Sequence, residues 1–235
     1  APRERFTGAM RITVGSRTLT RDDVVAVARH GAEVVIDADA LDAMTATRAL
    51  IAGLAHDTVP HYGVSTGFGA LATTHIPLAK RAELQRSLVR SHAASSGAEV
   101  EREVVRATML LRLATLATGR TGARPVVAET YAAMLNAHIT PVVGEDGSLG
   151  CSGDLAPLAH CALAAMGEGS VRNAAGDLVP AGDALAAAGI RPLELEEKEG
   201  LALINGTDGM LGMLCLALAD LDGLVATADL AAAMS

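Results

Sequence analysis

The chain has 235 residues, half of them apolar, with 19 basic against 27 acidic side chains and a formal charge of −8. This composition describes a folded, mildly acidic protein and excludes extended disorder, and the excess of acid argues against nucleic-acid binding, which relies on Lys and Arg neutralising phosphates. With two Tyr, two Phe and no Trp, core volume must come from Ala, Leu, Val and Met, which favours packed helices.

In chain order, residues 11–14 followed by 18–20 read as a small β-element. Thr20 caps an amphipathic helix over 21–30, with Asp22 and Asp23 in its first turn and Gly31 at its end. Residues 34–36 read as a strand, 41–55 as helix, 59–62 as extended, and 63–69 as a loop, since three glycines in seven residues oppose regular structure. Pro77 opens a helix to about His92, 99–118 is a strong helical pattern, and Pro125 begins another that ends near Ala137. A second glycine-rich stretch, 144–153, runs into an apolar helix over 155–166. Residues 171–179 read as a hairpin stopped by Pro180, and Pro192 precedes a long Leu/Ala/Met segment over 196–235.

The last segment carries apolar residues on more than one face, which suits a bundle or an oligomer. Its most apolar run, 210–219, is bounded by Asp208 and Asp220 and falls short of the ~20 residues a membrane span needs, so no membrane helix is expected. Three cysteines, Cys151, Cys161 and Cys215, form no CxxC pair, and the N-terminal residues carry charge without a following apolar stretch. Both features point to the cytoplasm.

Several motifs imitate known chemistry. Gly63-Val-Ser-Thr-Gly67 matches the G-x-S-x-G elbow of serine hydrolases and would make Ser65 a nucleophile, yet Gly67, Phe68 and Gly69 follow where a helix should begin. Gly67-Phe-Gly69 with Ala72 imitates a dinucleotide fingerprint, and Pro77 denies it the helix it needs. The seven histidines show no metal-ligand spacing supported by carboxylates or cysteines, so no metal is expected. His160, within an apolar helical pattern, reads as a hydrogen-bonded core residue.

Gly147-Ser-Leu-Gly-Cys-Ser-Gly-Asp-Leu-Ala-Pro-Leu-Ala-His160 resembles the signature of the aromatic amino acid ammonia-lyases. In that family an Ala/Thr/Cys-Ser-Gly tripeptide cyclises to a methylidene-imidazolone (MIO) electrophile. The resemblance assigns this to Cys151, Ser152 and Gly153, with no external cofactor, and places a positive helix end after Asp154. Glycine has no side chain to hinder its nitrogen from attacking the carbonyl two residues back, serine can lose water to leave a methylene, and the Cys151 thiol is a bystander.

Three more stretches resemble the family in the same order. His61-Tyr-Gly-Val-Ser-Thr-Gly-Phe-Gly69 looks like the mobile loop whose tyrosine acts as acid/base, which implies that role for Tyr62. Leu84 to Ala93 corresponds to the selectivity helix, where Ser91-His92 follows the histidine-specific pattern and also resembles some tyrosine 2,3-aminomutases. Leu201-Ala-Leu-Ile-Asn-Gly-Thr207 resembles the asparagine motif, making Asn205 a partner of ring and substrate.

The resemblance implies a mainly α fold of the fumarase/aspartase-like superfamily. An N-terminal MIO domain with a few short strands would span 1–195, and the start of the central long-helix bundle 196–235. It implies deamination of L-histidine to trans-urocanate, or of tyrosine or phenylalanine, by a homotetramer. Family members are roughly twice as long, so the chain is expected to be an N-terminal portion, inactive alone. A non-catalytic helical assembly module is the remaining alternative.

Overall fold

The structure, a computed structural model, describes residues 10–15, 17–150 and 153–234. It is mainly helical, with short strands at its edges. Strand β1 (Arg11–Val14) pairs in parallel with β2 (Glu33–Ile36), and helix α1 (Arg21–His30) forms the crossover. Residues 18–20 are not a strand as expected; Thr20 is needed for the helix start. Its side chain accepts from the Asp23 N–H and the Asp23 carboxylate accepts from the Thr20 N–H at 2.7 Å, which satisfies two orphan donors reciprocally. Gly31, at φ 67°, closes α1 in the left-handed conformation that glycine adopts without a Cβ penalty.

Helix α2 (Ala38–Ala55) begins three residues earlier than its pattern suggested because Asp37 caps it, accepting from the Asp39 N–H. Residues 59–62, expected to be extended, bend and turn instead. The loop then makes one 3₁₀ turn, Gly69–Leu71, and a bridge between Thr66 and His75, before α3 (Leu78–His92) starts behind Pro77.

The sequence pattern started this helix at residue 99, but Ser96–Glu99 is strand β3, and helix α4 (Arg102–Leu116) begins after Glu101. The reason is long-range pairing. Strand β5 (Gly144–Asp146) lies antiparallel to β3, and the Val100 N–H reaches the Val143 carbonyl at 2.9 Å. A second small sheet joins β4 (Thr140–Pro141), β6 (Ser170–Arg172) and β7 (Leu178–Pro180), the last two forming the expected hairpin. Helix α5 (Pro125–Asn136) carries Pro at its first turn, and α6 (Leu155–Ala165) follows the glycine-rich stretch. A short helix, α7 (Ala181–Ala187), was not anticipated, because its alanines carry no periodic contrast.

Helix α4 forms the centre of the core. Val105, Met109, Leu110, Leu113 and Leu116 are buried along it, against Tyr131 and Met134 of α5 and Leu158 of α6. Residues 196–235 are not one helix: α8 (Glu199–Ile204) ends and α9 (Asp208–Met234) begins across Asn205, Gly206 and Thr207. The first half of α9 lies on α4 so closely that a Cβ at Gly212 would come 3.1 Å from the Ala107 Cβ. Its outer half exposes Leu221, Leu224 and Leu230.

Taken by length and apolarity alone, residues 199–234 pass for a membrane span, against the expectation from the shorter run at 210–219. The break at 205–207 shortens that run to the 27 residues of α9, which by length alone still suffice for a span. Two carboxylates of α9 also pair with α1 arginines, Asp220 with Arg29 at 2.5 Å and Asp222 with Arg21 at 2.6 Å. These pairs tie α9 to protein rather than leaving charges for hydrocarbon.

The Arg17 guanidinium, with the Thr20 N–H and hydroxyl, holds the Asp23 carboxyl below the usual carboxylate range. A carboxyl of this kind stabilises the fold above its unfolded pKa, about 3.9, and loses that contribution as pH falls toward the folded value. Asp23→Ala should therefore cost about 2 kcal/mol at pH 7. Urea midpoints of the two proteins should converge as the pH is lowered below about 4.

Candidate active site

Three chain segments meet where the glycine-rich stretch enters α6. The Asp154 N–H donates to the Gly206 carbonyl at 2.6 Å, which ties the start of α6 to the break between α8 and α9. The Asp154 carboxylate is fully buried. One oxygen accepts the Ser148 hydroxyl at 2.6 Å and the other the Met210 N–H at 3.0 Å. Asp154 therefore makes no side-chain cap on its own helix and places its charge at the N-terminus of α9, where helix dipole and free N–H groups favour an anion. Space there is tight: a Cβ at Gly209 would stand 3.1 Å from the Asp154 Oδ2.

Cys151 and Ser152 lie outside the described residues. Gly153 is buried beside Asn205, and a Cβ built on it would come 3.1 Å from the Asn205 Oδ1. Asn205 does not start a helix: it ends α8 with extended backbone at φ −102° and ψ 93°. Its side-chain amide makes no hydrogen bond among the described residues.

That position is enforced from a distance. Arg112, buried in α4, donates from Nη1 to the carbonyls of Ala202 at 2.9 Å and Asn205 at 3.3 Å, and its Nη2 is ion-paired with Asp208. One guanidinium thus satisfies the carbonyl end of α8 and a carboxylate at the start of α9. Gly206 is required by space, because a Cβ there would overlap Arg112 and come 2.6 Å from Asp208.

The front of α8 is held likewise. Gln85 Oε1 of α3 accepts the Gly200 N–H at 2.9 Å, and the fully buried Glu199 accepts from Arg124 Nε and Nη2, both at 2.8 Å. Sequence reasoning missed Gln85, Arg112, Glu199 and Asp208. One signal existed for Arg112: it is a charge set among Met, Leu and Leu within a strongly apolar helix.

The Tyr62 loop docks on the same helix. Gly63, at φ 71°, leaves room for Leu201, whose Cδ2 would stand 3.0 Å from a Cβ there, and the Asn205 N–H bonds the Leu201 carbonyl one turn on. Tyr62 is half-exposed and meets Phe68 edge-on with ring centroids 6.1 Å apart. Ser65 is fully buried, and its Oγ accepts the His61 N–H at 2.8 Å. It braces the turn, and no helix follows it, so the hydrolase reading of Ser65 is corrected.

Ser91 and His92 end α3. Both the Ser91 hydroxyl and the His92 Nδ1 lie 2.9 Å from the Leu88 carbonyl, which calls for a proton on Nδ1; in the neutral ring Nε2 is then the acceptor. Just beyond, the Ser95 hydroxyl accepts the Gly144 N–H, and the Ser95 N–H donates to His160 Nε2 at 3.2 Å. Burial lowers the His160 pKa, in keeping with a neutral ring accepting that bond. The segment after His92 is thus stitched to the glycine-rich stretch. Among the described residues no group of three or more His, Cys, Asp or Glu side chains could hold a metal ion.

Residues 19–235 match the family described as aromatic amino acid lyase. The chain belongs to that family. Histidine ammonia-lyase of Streptomyces griseus is 62% identical to this chain over 224 residues, covering 95% of this chain and 44% of that protein. Among solved structures, tyrosine aminomutase from Streptomyces globisporus aligns with a TM-score of 0.82 at 42% identity, covering 88% of this chain and 39% of the other. Histidine ammonia-lyase from Trypanosoma cruzi aligns with a TM-score of 0.82 at 35% identity, covering 89% and 40%. The chain thus spans less than half the length of these curated relatives.

Removing Arg112 leaves Asp208 buried without its counter-charge. Arg112→Met should lower the unfolding free energy by about 3–5 kcal/mol in denaturant melts, and adding Asp208→Leu should recover part of the loss.

Proposed function

We propose that the whole protein carrying this chain deaminates L-histidine to trans-urocanate and ammonia. The observation that carries this reading is the Asn205 side-chain amide set against Gly153, the closing residue of Cys-Ser-Gly in a chain of the aromatic amino acid lyase family. The residues present fit the prosthetic group: position 153 has no side chain, and Asn205 Oδ1 fills the space where one would be. An MIO formed from Cys151, Ser152 and Gly153 supplies an electrophile that no ordinary side chain offers.

The chain's own residues would do the rest. Tyr62, carried on a loop that packs on α8, handles the substrate β-proton at its phenolic oxygen. Asn205 orients substrate and ring through its amide. His92 Nε2, left as an acceptor by the Nδ1 bond to Leu88, takes the N–H of the substrate imidazole. A tyrosine substrate is the second reading, because the same Nε2 can accept a phenol O–H and the tyrosine aminomutase is 42% identical. A homotetramer, a cytoplasmic location and a division near residue 196 belong to the same proposal. The free Cys161 and Cys215 fit a reducing compartment.

The test uses the full-length enzyme with L-histidine, L-tyrosine and L-phenylalanine in parallel, together with its intact mass. Urocanate formation and a mass two waters below the sequence value support the reading; an unshifted mass sinks the mechanism. Tyr62→Phe should abolish most turnover and keep the lowered mass, and near-normal kcat would remove the acid/base role. His92→Phe leaves a polar ring nitrogen unpaired at about 1–3 kcal/mol, so kcat/KM for histidine should fall by roughly fivefold to a hundredfold.

A further inference from the structure

The loop that carries Tyr62, residues 56–77, leaves α2 at Ala55 and enters α3 at Leu78. Neither root is closed by its own side chains. The last turn of α2 holds no basic residue, and α3 starts behind Pro77 without a side-chain cap. Arg81, near the start of α3, serves both roots. Its Nη1 donates to the Ala55 carbonyl and its Nε to the Ile76 carbonyl at 3.0 Å. The residue is 3% exposed, and no carboxylate pairs with it among the described residues.

A buried guanidinium without a counter-ion is costly. The Ala55 carbonyl offsets part of that cost, since it stands at the negative end of the α2 dipole. What the arrangement achieves is closure, because one rigid fork ties the two ends of the loop together. The arms of the loop then pair with each other. The Ile76 N–H donates to the Ser65 carbonyl at 2.9 Å, and the Gly67 N–H to the Thr74 carbonyl at 3.1 Å. Next to Tyr62, the His61 carbonyl accepts from the N–H groups of Val64, Ser65 and Thr66, and the His61 Nε2 lies 2.9 Å from the Asp57 carboxylate. Val64, Ser65 and Thr66 are buried, whereas Tyr62 is half-exposed.

The same face of α3 holds the other half of the proposed site. Gln85 follows Arg81 by four residues and accepts the Gly200 N–H of α8, the helix that ends at Asn205. Gly63 of the loop packs on Leu201 of α8. Arg81 and Gln85 are therefore buried polar neighbours on one helix face, the first setting the loop and the second the helix it rests on.

We propose that Arg81 is a positioning residue for the deamination: by closing the roots of loop 56–77 it maintains a preformed lobe that presents Tyr62 beside α8. The inference rests on the assignment of the substrate β-proton to Tyr62. Without the fork the lobe opens and proton transfer slows. Substrate affinity changes less, because His92 and Asn205 lie outside the loop.

The test compares the full-length protein with its Arg81→Met and Arg81→Lys variants. Chymotrypsin under native conditions, with fragments identified by mass, reads the lobe whether or not substrate is turned over. Cleavage after Tyr62, Phe68 or Leu71 should quicken by about tenfold or more in Arg81→Met, since a segment must open locally to be cut. With L-histidine, kcat should fall by about tenfold in Arg81→Met while KM stays within about twofold. Arg81→Lys should lie between wild type and Arg81→Met in both measurements, because an ammonium keeps the charge without the fork. The lysine variant carries the test, with the same signs and smaller changes, if Arg81→Met fails to fold. Unchanged cleavage and kcat overturn the proposal, and so does an equal rise in cleavage along the whole chain, which marks a loss of global stability alone. A wild type that deaminates none of histidine, tyrosine and phenylalanine fails the functional reading instead, and the cleavage pattern still decides whether Arg81 closes the lobe.

Discussion

The buried pair between Arg112 and Asp208 determines where α8 stops and α9 begins, and the candidate site is assembled at that break. Burying two charges is expensive, and a well-packed apolar pair of similar volume is often at least as stable. Its return here is positional. Arg112 also collects the Ala202 and Asn205 carbonyls, so the end of one helix and the start of the next are held by one rigid fork on the central helix. Without that fork a leucine-rich run from 201 to 218 has little reason to break at Asn205.

The same device recurs around the site, where helix ends are satisfied from other elements rather than by their own caps. Asp154 serves the start of α9, Gln85 the start of α8, and Arg106 the carbonyl ends of α1 and α5. Helix ends are where backbone polar groups lack intrahelical partners. Gathering several ends in one place therefore supplies hydrogen-bonding capacity, and the long side chains that satisfy it fix the relative positions of helices far apart in the chain. The glycines at 153, 206 and 209 follow from that crowding, since each lies where a Cβ would press on a functional or bracing side chain.

Helix α9 shows the opposite balance. Its first half is committed to α4 through Gly212 and Leu216, and its middle to α1 through Asp220 and Asp222, while its outer half presents leucines. The chain covers 44% of its Streptomyces griseus relative. The apolarity of the helix is what makes it resemble a membrane span by length and composition.

Residue types alone determined much. The low aromatic content led to a helical core of Leu, Val, Ala and Met, and Thr20, Pro125 and Gly31 marked helix ends through chemistry that acts within four residues. The four family-like stretches were likewise readable, because each depends on local order of residues. What only the tertiary structure decided are the features that depend on residues distant in the chain. Strand β3 formed in a stretch that carries no strand pattern because β5 pairs with it from 45 residues away in sequence, roughly the reach of a whole supersecondary unit. Ser65, legible as a nucleophile, proved to be a buried brace because the His61 N–H needed an acceptor. The set of Gln85, Arg112, Glu199 and Asp208 escaped notice for the same physical reason: burial and pairing of a charge belong to the neighbours that surround it, and no local pattern records who those neighbours are.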